Sequence, residues 1–173
     1  MIRSAFTVTL VILMLAIQVS AVSFAQAGDN IPSGKELEYA KQLYMLINQF
    51  DNNENVFVEK MKDVPITDNA TILKAFKGKF DYTKQFYLTV REQVPTTKFV
   101  PVQKTLLEGI YGNLQYLQVV VNELGTGKNL IDINKIHGNK FQAANSVYEK
   151  GVKDFMAVIK SWQRPYIKQV TGL

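Results

Sequence analysis

Apolar residues return every three or four positions along four long stretches of this chain, and breaks rich in Pro, Gly or Asn separate the stretches. That spacing lines one face of an α-helix and is wrong for a half-buried strand, whose faces alternate every second residue. The first stretch opens at Ser33, with Glu36 three residues later, which is a capping-box pattern. Leu37, Ala40, Tyr44 and Ile47 continue it, and Leu43, Leu46 and Phe50 widen its face. The run Asp51-Asn52-Asn53-Glu54-Asn55 interrupts with poor helix formers before Phe57, Met61 and Val64 resume the pattern. One long helix is expected, either continuous or broken at 51–55.

The second stretch follows Thr67 or Asp68 and carries Leu73, Phe76, Phe80, Thr83, Tyr87, Val90 and Val94. Pro95 and Pro101 bracket a short linker expected to be extended over 96–100. The third carries Leu107, Ile110, Leu114, Leu117, Val121 and Leu124, and Gly125-Thr126-Gly127 stops it. The fourth starts near Asp132 and holds Phe141, Ala144, Tyr148, Val152, Phe155, Ile159, Trp162 and Tyr166, with Pro165 ending or kinking it in its last turns. Long amphipathic helices joined by short loops pack best against antiparallel neighbours. The expected fold is all-α, an up-down-up-down four-helix bundle after a cleaved signal peptide.

The leader is read from residues 1–27. Arg3 supplies a positive start, Ala5 to Ala21 is apolar apart from hydroxyl residues and Gln18, and Ala25-Gln26-Ala27 offers small residues to a signal peptidase. Cleavage is expected between Ala27 and Gly28, leaving residues 28–173 as one secreted helical domain. An uncleaved anchor is the other reading, and the apolar run is short for a full span. The chain has no cysteine, which excludes disulfides, thiolate metal sites, a cysteine nucleophile and a lipidated cysteine. Its 47% apolar and 20% charged residues suit a folded core rather than disorder.

Catalytic patterns are sparse. The one histidine, His137, has no nucleophile-elbow sequence beside the chain's serines and no second histidine for a metal, and Asn134 stands where a Glu-x-x-His pair needs its acid. A solvated or locally hydrogen-bonded His137 is expected. The Gly125-Thr126-Gly127-Lys128 run lacks the earlier glycine of a phosphate loop and reads as a helix terminator. No enzyme activity, cofactor or metal is expected.

Charge is divided along the chain. Residues 28–73 hold eight acids against four lysines, and residues 74–173 hold fifteen Lys or Arg against seven acids. Export and the lack of a recognition-helix or stacking pattern argue against a nucleic-acid partner. On a continuous last helix, Lys150, Lys153, Lys160, Arg164 and Lys168 fall within a sector of about 80°. Phe155 and Trp162 lie on the opposite side with Phe141 and Tyr148. A basic face opposite an aromatic one suits a helix lying on an anionic membrane, but on the helix pattern alone ordinary bundle anatomy, with aromatics inside and lysines in water, is the favoured reading. A weaker stripe, Lys74, Lys77, Lys84 and Arg91, runs along the second helix. Exposed loops are expected at 51–55, 64–69 and 95–101, where a protease could separate the acidic part from the basic remainder.

In overall plan the chain resembles the sibling bacteriocin precursors of spore-forming Gram-positive bacteria. The features that carry the resemblance are the leader ending in Ala25-Gln26-Ala27, the absence of cysteine, the length, and the Lys/aromatic helices from Lys74 onward. The resemblance implies secretion, trimming by an extracellular subtilisin-type protease, and killing of sibling bacteria at the envelope. A different reading is a non-lytic secreted bundle that binds an anionic cell-wall polymer or a protein.

Overall fold

The computed structural model describes residues 28–173, and the expected leader and its Ala27 lie outside the described residues. Four long helices, α1 (Gly34–Met61), α2 (Asn69–Glu92), α3 (Val100–Gly125) and α4 (Leu130–Lys160), form the expected up-down-up-down bundle. A short helix, α5 (Arg164–Thr171), follows and packs on α1.

Each helix starts on a side chain that satisfies otherwise orphaned N–H groups or on a residue that needs none. Ser33 and Glu36 form the capping box: the Glu36 N–H donates to Ser33 Oγ at 3.2 Å, and the Ser33 N–H donates to Glu36 Oε2 at 2.7 Å. Asp68 caps α2 by accepting the Thr71 N–H at 3.0 Å, and Asn129 caps α4 by accepting the Asp132 N–H at 2.9 Å. Pro101 sits in the first turn of α3, and Pro165 in that of α5, where a missing N–H leaves no gap.

Three expectations are corrected. First, α1 runs unbroken through 51–55, because Asp51 and Glu54 turn inward and find partners. The expected exposed loop there does not exist. Second, the linker between Pro95 and Pro101 is not extended: Thr97–Phe99 is a 3-10 turn that drives Phe99 into the core, fully buried. The Gln103 side chain then donates to the carbonyls of Val90 and Gln93, at 2.7 and 2.8 Å, closing the end of α2. Third, the last helix stops at Lys160 rather than running on to Pro165, and Trp162 lies in the break before α5.

The core divides lengthwise into two clusters. One gathers Tyr39, Leu43, Phe50, Phe86, Phe99, Tyr148, Phe155 and Trp162, and the other gathers Met61, Phe76, Tyr116, Leu117, Ile133 and Phe141. Phe50 is the hub of the first, with ring centroids 4.3 Å from Phe86, 5.3 Å from Tyr148 and 6.0 Å from Tyr82. Such aromatic pairs add about 0.5–1.5 kcal/mol each beyond the area they bury.

The most extensive interface is between α3 and α4, and glycine permits it. A Cβ on Gly109 would lie 2.3 Å from the Tyr148 backbone nitrogen, and one on Gly151 would lie 2.9 Å from that of Leu106. Gly109→Ala therefore forces the helices apart and should destabilise the fold by about 3 kcal/mol. Gly78 lies on the outer side of α2, where an added Cβ would meet nothing within 4 Å. Gly78→Ala should stabilise by roughly 0.5–1 kcal/mol through helix propensity alone. Urea unfolding midpoints of the two variants should move in opposite directions.

Candidate functional site

Acidic and basic parts of the chain meet inside the bundle along one face of α1. Asp51 and Glu54 are three residues apart and continue the inward face that Leu43, Ile47 and Phe50 begin. Glu54 Oε2 accepts a hydrogen bond from Lys79 Nζ of α2 at 2.5 Å, and the two side chains retain only 5% and 4% of their exposure. The same ammonium stands 4.4 Å from the centre of the Phe57 ring, a cation–π contact in a desolvated place. Asp51 Oδ1 accepts from the Tyr148 hydroxyl of α4 at 3.1 Å. Three helices are thus tied by two buried polar links.

Burial raises the Asp51 carboxyl to about 6; the Tyr148 hydrogen bond opposes the rise and the nearby Glu54 charge adds to it. Burial also pushes the Tyr148 hydroxyl well above its usual range, with the Asp51 charge acting the same way. Tyr148 therefore stays a hydrogen-bond donor across the physiological range. Beside the ion pair an open cleft of about 460 Å³ lies between α1 and α2, with Phe57, Met61, Val64 and Ala75 among its walls and Lys60 and Lys74 at its edge. A second point of contact lies at the surface: Lys98 Nζ is 3.0 Å from Glu36 Oε1. The Ser33 backbone bond is the main reason the Glu36 carboxyl sits below the usual range; burial opposes it, and Lys98 adds to the lowering.

The residues singled out in the sequence divide into two groups. Lys150, Lys153, Arg164 and Lys168 are exposed, and Lys150 pairs with Asp154 at 2.5 Å. Lys160 is half-buried at the end of α4. The single 80° sector is not realised. Lys150, Lys153 and Lys160 belong to α4, while Arg164 and Lys168 belong to α5, on the far side of the Ser161–Gln163 break. Phe155 and Trp162 are both 0% exposed, so in the intact bundle neither meets a membrane. Trp162 stacks edge-on against Phe99, 6.1 Å between ring centroids.

His137 is locally hydrogen-bonded, its Nε2 lying 3.2 Å from Glu123 Oε1 across the α3–α4 seam. Burial raises the Glu123 carboxyl, and the bonds from His137 and Lys128 outweigh it and bring it below the usual range. Among the described residues no cluster of three or more His, Cys, Asp or Glu side chains could hold a metal ion, and no helix is long and apolar enough to cross a membrane.

The buried network is what sequence reading missed, though a signal existed. The buried series of α2 is Ile72, Phe76, Lys79, Thr83, Phe86 and Val90, strictly spaced by four and three with a lysine inside it. Asp51 and Glu54 occupy inward positions of α1 in the same way. Ionic residues falling at core positions on two neighbouring helices, with opposite signs, mark a buried pair.

Comparison with protein-family models, with curated proteins and with solved structures returns no match.

Two outcomes test the network. The Asp51 carboxyl is raised in the folded state, so its ionisation opposes folding. The opposition is complete above the folded value near 6 and fades as pH falls toward the unfolded value. Lowering pH from 7.5 to 5 should therefore relieve roughly 1–1.5 kcal/mol, and Asp51→Asn should remove that gain when urea midpoints are compared at the two pH values. For the ion pair, Lys79→Met alone should cost about 3–5 kcal/mol, and adding Glu54→Leu should recover most of it. A double-mutant cycle of unfolding free energies measures the recovery.

Proposed function

We propose that this chain is a secreted bacteriocin precursor in which the acidic helix α1 masks a basic helical remainder, and that proteolysis between the two switches on antibacterial action at the cell envelope. The observation that carries the reading is what α1 covers. Through Tyr39, Tyr44 and Phe50 it lies over Phe99, Phe155 and Phe86, which belong to the remainder. On the outer surfaces of that remainder stand Lys74, Lys77, Lys84, Lys150 and Lys153, all exposed. Stripping α1 away would bare an aromatic face opposite a cationic one, the design of peptides that seat in anionic lipid interfaces.

The cut is proposed to fall in the turn between α1 and α2. Residues 51–61 are helical and partly buried, whereas 62–68 form a turn with Lys62, Asp63, Pro65 and Thr67 exposed. Exposed turns are the usual sites of nicking, and an extracellular subtilisin-type protease would act here. The mask would not leave at once, because Glu54–Lys79, Asp51–Tyr148 and Glu36–Lys98 hold it without a covalent link. Anionic lipid competing for Lys79 and Lys98 would favour its departure.

A second reading rests on a separate observation: Lys74, Lys77 and Lys84 are exposed on the intact fold and carry no ion pair among the described residues. The intact bundle would then bind an anionic cell-wall polymer, the affinity falling steeply with salt. A digestion time course separates the two. Chain beginning at Gly28 is treated with a subtilisin-type protease, and growth inhibition of sibling cells and leakage of anionic vesicles are followed with the cut. Activity that rises as the 62–68 turn is cut supports the precursor. Binding that falls with the cut supports the polymer binder. A digest, or a fragment beginning at Asn69, that neither inhibits growth nor permeabilises vesicles overturns the precursor reading.

A further inference from the structure

The first described residues fold back onto the far end of the bundle. The Gly28 N–H donates to the Lys160 carbonyl at 2.9 Å, and the Asn30 N–H donates to the Ser161 carbonyl at 3.1 Å. The Gln163 N–H returns the bond to the Asn30 carbonyl at 2.9 Å, and the Gln163 side chain donates to the Asp29 carbonyl at 3.3 Å. Asn30 and Trp162 thereby make a parallel bridge across the break between α4 and α5. The fit is closed at its tip: a Cβ on residue 28 would lie 2.1 Å from the Ser161 carbonyl oxygen, so the position takes glycine alone.

The acceptor is a special one. Lys160 is the last residue of α4, and its carbonyl belongs to the final four that have no donor within the helix. That end of a helix carries a partial negative charge and favours a cation. The nitrogen seated there is the one that cleavage after Ala25-Gln26-Ala27 would set free. As an amide it carries one proton and no charge; as an α-ammonium it carries three protons and a positive charge. Charge-assisted bonds are roughly twice as strong as neutral ones.

We propose that the carboxyl end of α4 is a binding site for the chain's own α-ammonium group, created when the leader is cut from Gly28. The seated amine completes a clasp, Gly28 to Asn30, that closes over the helix break, holds Trp162 inside and ties the start of the acidic helix to the basic C-terminal segment. Export and final folding are thereby linked: the exported product gains a positive charge at a contact that the uncut precursor makes only through a neutral amide. The inference rests on cutting between Ala27 and Gly28 and not on the killing activity.

The test uses the full chain from Gly28 in four forms: free amine, N-terminally acetylated, retaining Ala25-Gln26-Ala27, and Gly28→Ala with a free amine. Melting temperature and Trp162 fluorescence are read for each. The free-amine form should melt highest, with acetylation or the three-residue extension each lowering the midpoint by about 2–4 °C. Gly28→Ala should lower it at least as far and shift Trp162 emission to the red. Equal midpoints for the free, acetylated and extended chains would overturn the ammonium seat. An unchanged Gly28→Ala variant would overturn the clasp itself. A product recovered from medium that starts elsewhere than Gly28 would remove the premise. None of these readouts depends on growth inhibition, so the inference and the proposed function fail separately.

Discussion

The pair formed by Glu54 and Lys79 is the constraint on which the arrangement of α1 depends. Two opposite charges lie almost wholly out of water, 2.5 Å apart, on adjacent helices. Their attraction does not make the bundle more stable than a leucine and a methionine would, because desolvating both ions offsets most of it. What the pair does is forbid alternatives. If α1 slid by one turn along α2, either Phe57 would come opposite Lys79 and leave both charges unpaired, or Asp51 would take the lysine, lose its Tyr148 bond and leave Glu54 buried alone, at several kcal/mol in each case. The hydrophobic stripe is more forgiving, since Ile47, Phe50 or Met61 can trade places against apolar neighbours with modest loss. The register of α1 is thus fixed by electrostatics and its affinity by aromatic packing around Phe50.

That division of labour bears on how α1 could act as a removable mask. A contact held mainly by apolar area responds weakly to charge in its surroundings. A contact whose register depends on a lysine, with a second lysine, Lys98, on Glu36 at the surface, responds to a competing anionic surface. Asp51 adds a third element, since burial already brings its carboxyl to about 6 and its link to Tyr148 lies beside the pair. The charge asymmetry seen along the sequence is therefore partly internal. Glu38 and Glu59 of α1 face water, but Asp51 and Glu54 face inward and meet the remainder where loss of a partner is most costly.

The number, order and approximate ends of the long helices are legible in the sequence, and so, almost completely, is the face of α4: Phe141, Ala144, Tyr148, Val152, Phe155 and Ile159 are all buried. The face of α2 is misplaced by one residue. Apolar period points Leu73, Phe80, Tyr87 and Val94 inward beside Phe76, Thr83 and Val90, yet Ile72, Lys79 and Phe86 take those places, and Val94 is 87% exposed. The cause is specific. A search for apolar periodicity steps around a lysine, and the true stripe runs through Lys79. The same bias turns Asp51 and Glu54 into a supposed interruption of α1. In α3 the shift is smaller: Leu106 and Val120 are buried where the period points to Leu107 and Val121. Composition and period locate apolar faces; they do not show where an ion pair has replaced two apolar contacts.

The break after Lys160 follows a related logic. Helical periodicity continues through Trp162 and Tyr166, so a single rod with a continuous basic stripe is the economical reading of the sequence. A continuous rod would have carried Trp162 past the end of α1. Ending the helix at Lys160 lets the chain turn, seats Trp162 against Phe99 and brings α5 back over α1, where Lys41 reaches Gln169 at 3.5 Å. Stopping a helix leaves carbonyls without donors, and the chain meets that demand from two directions. Ser161 and Trp162 N–H groups bond back to Ala157, Val158 and Ile159, and Gly28 supplies a donor to Lys160 from the opposite end of the domain. The aromatic burial that closes the core therefore requires the break, and the break requires a donor with no side chain in its way. Glycine at position 28 meets both demands, which is why a residue at the edge of the domain is as sterically constrained as Gly109 at its centre.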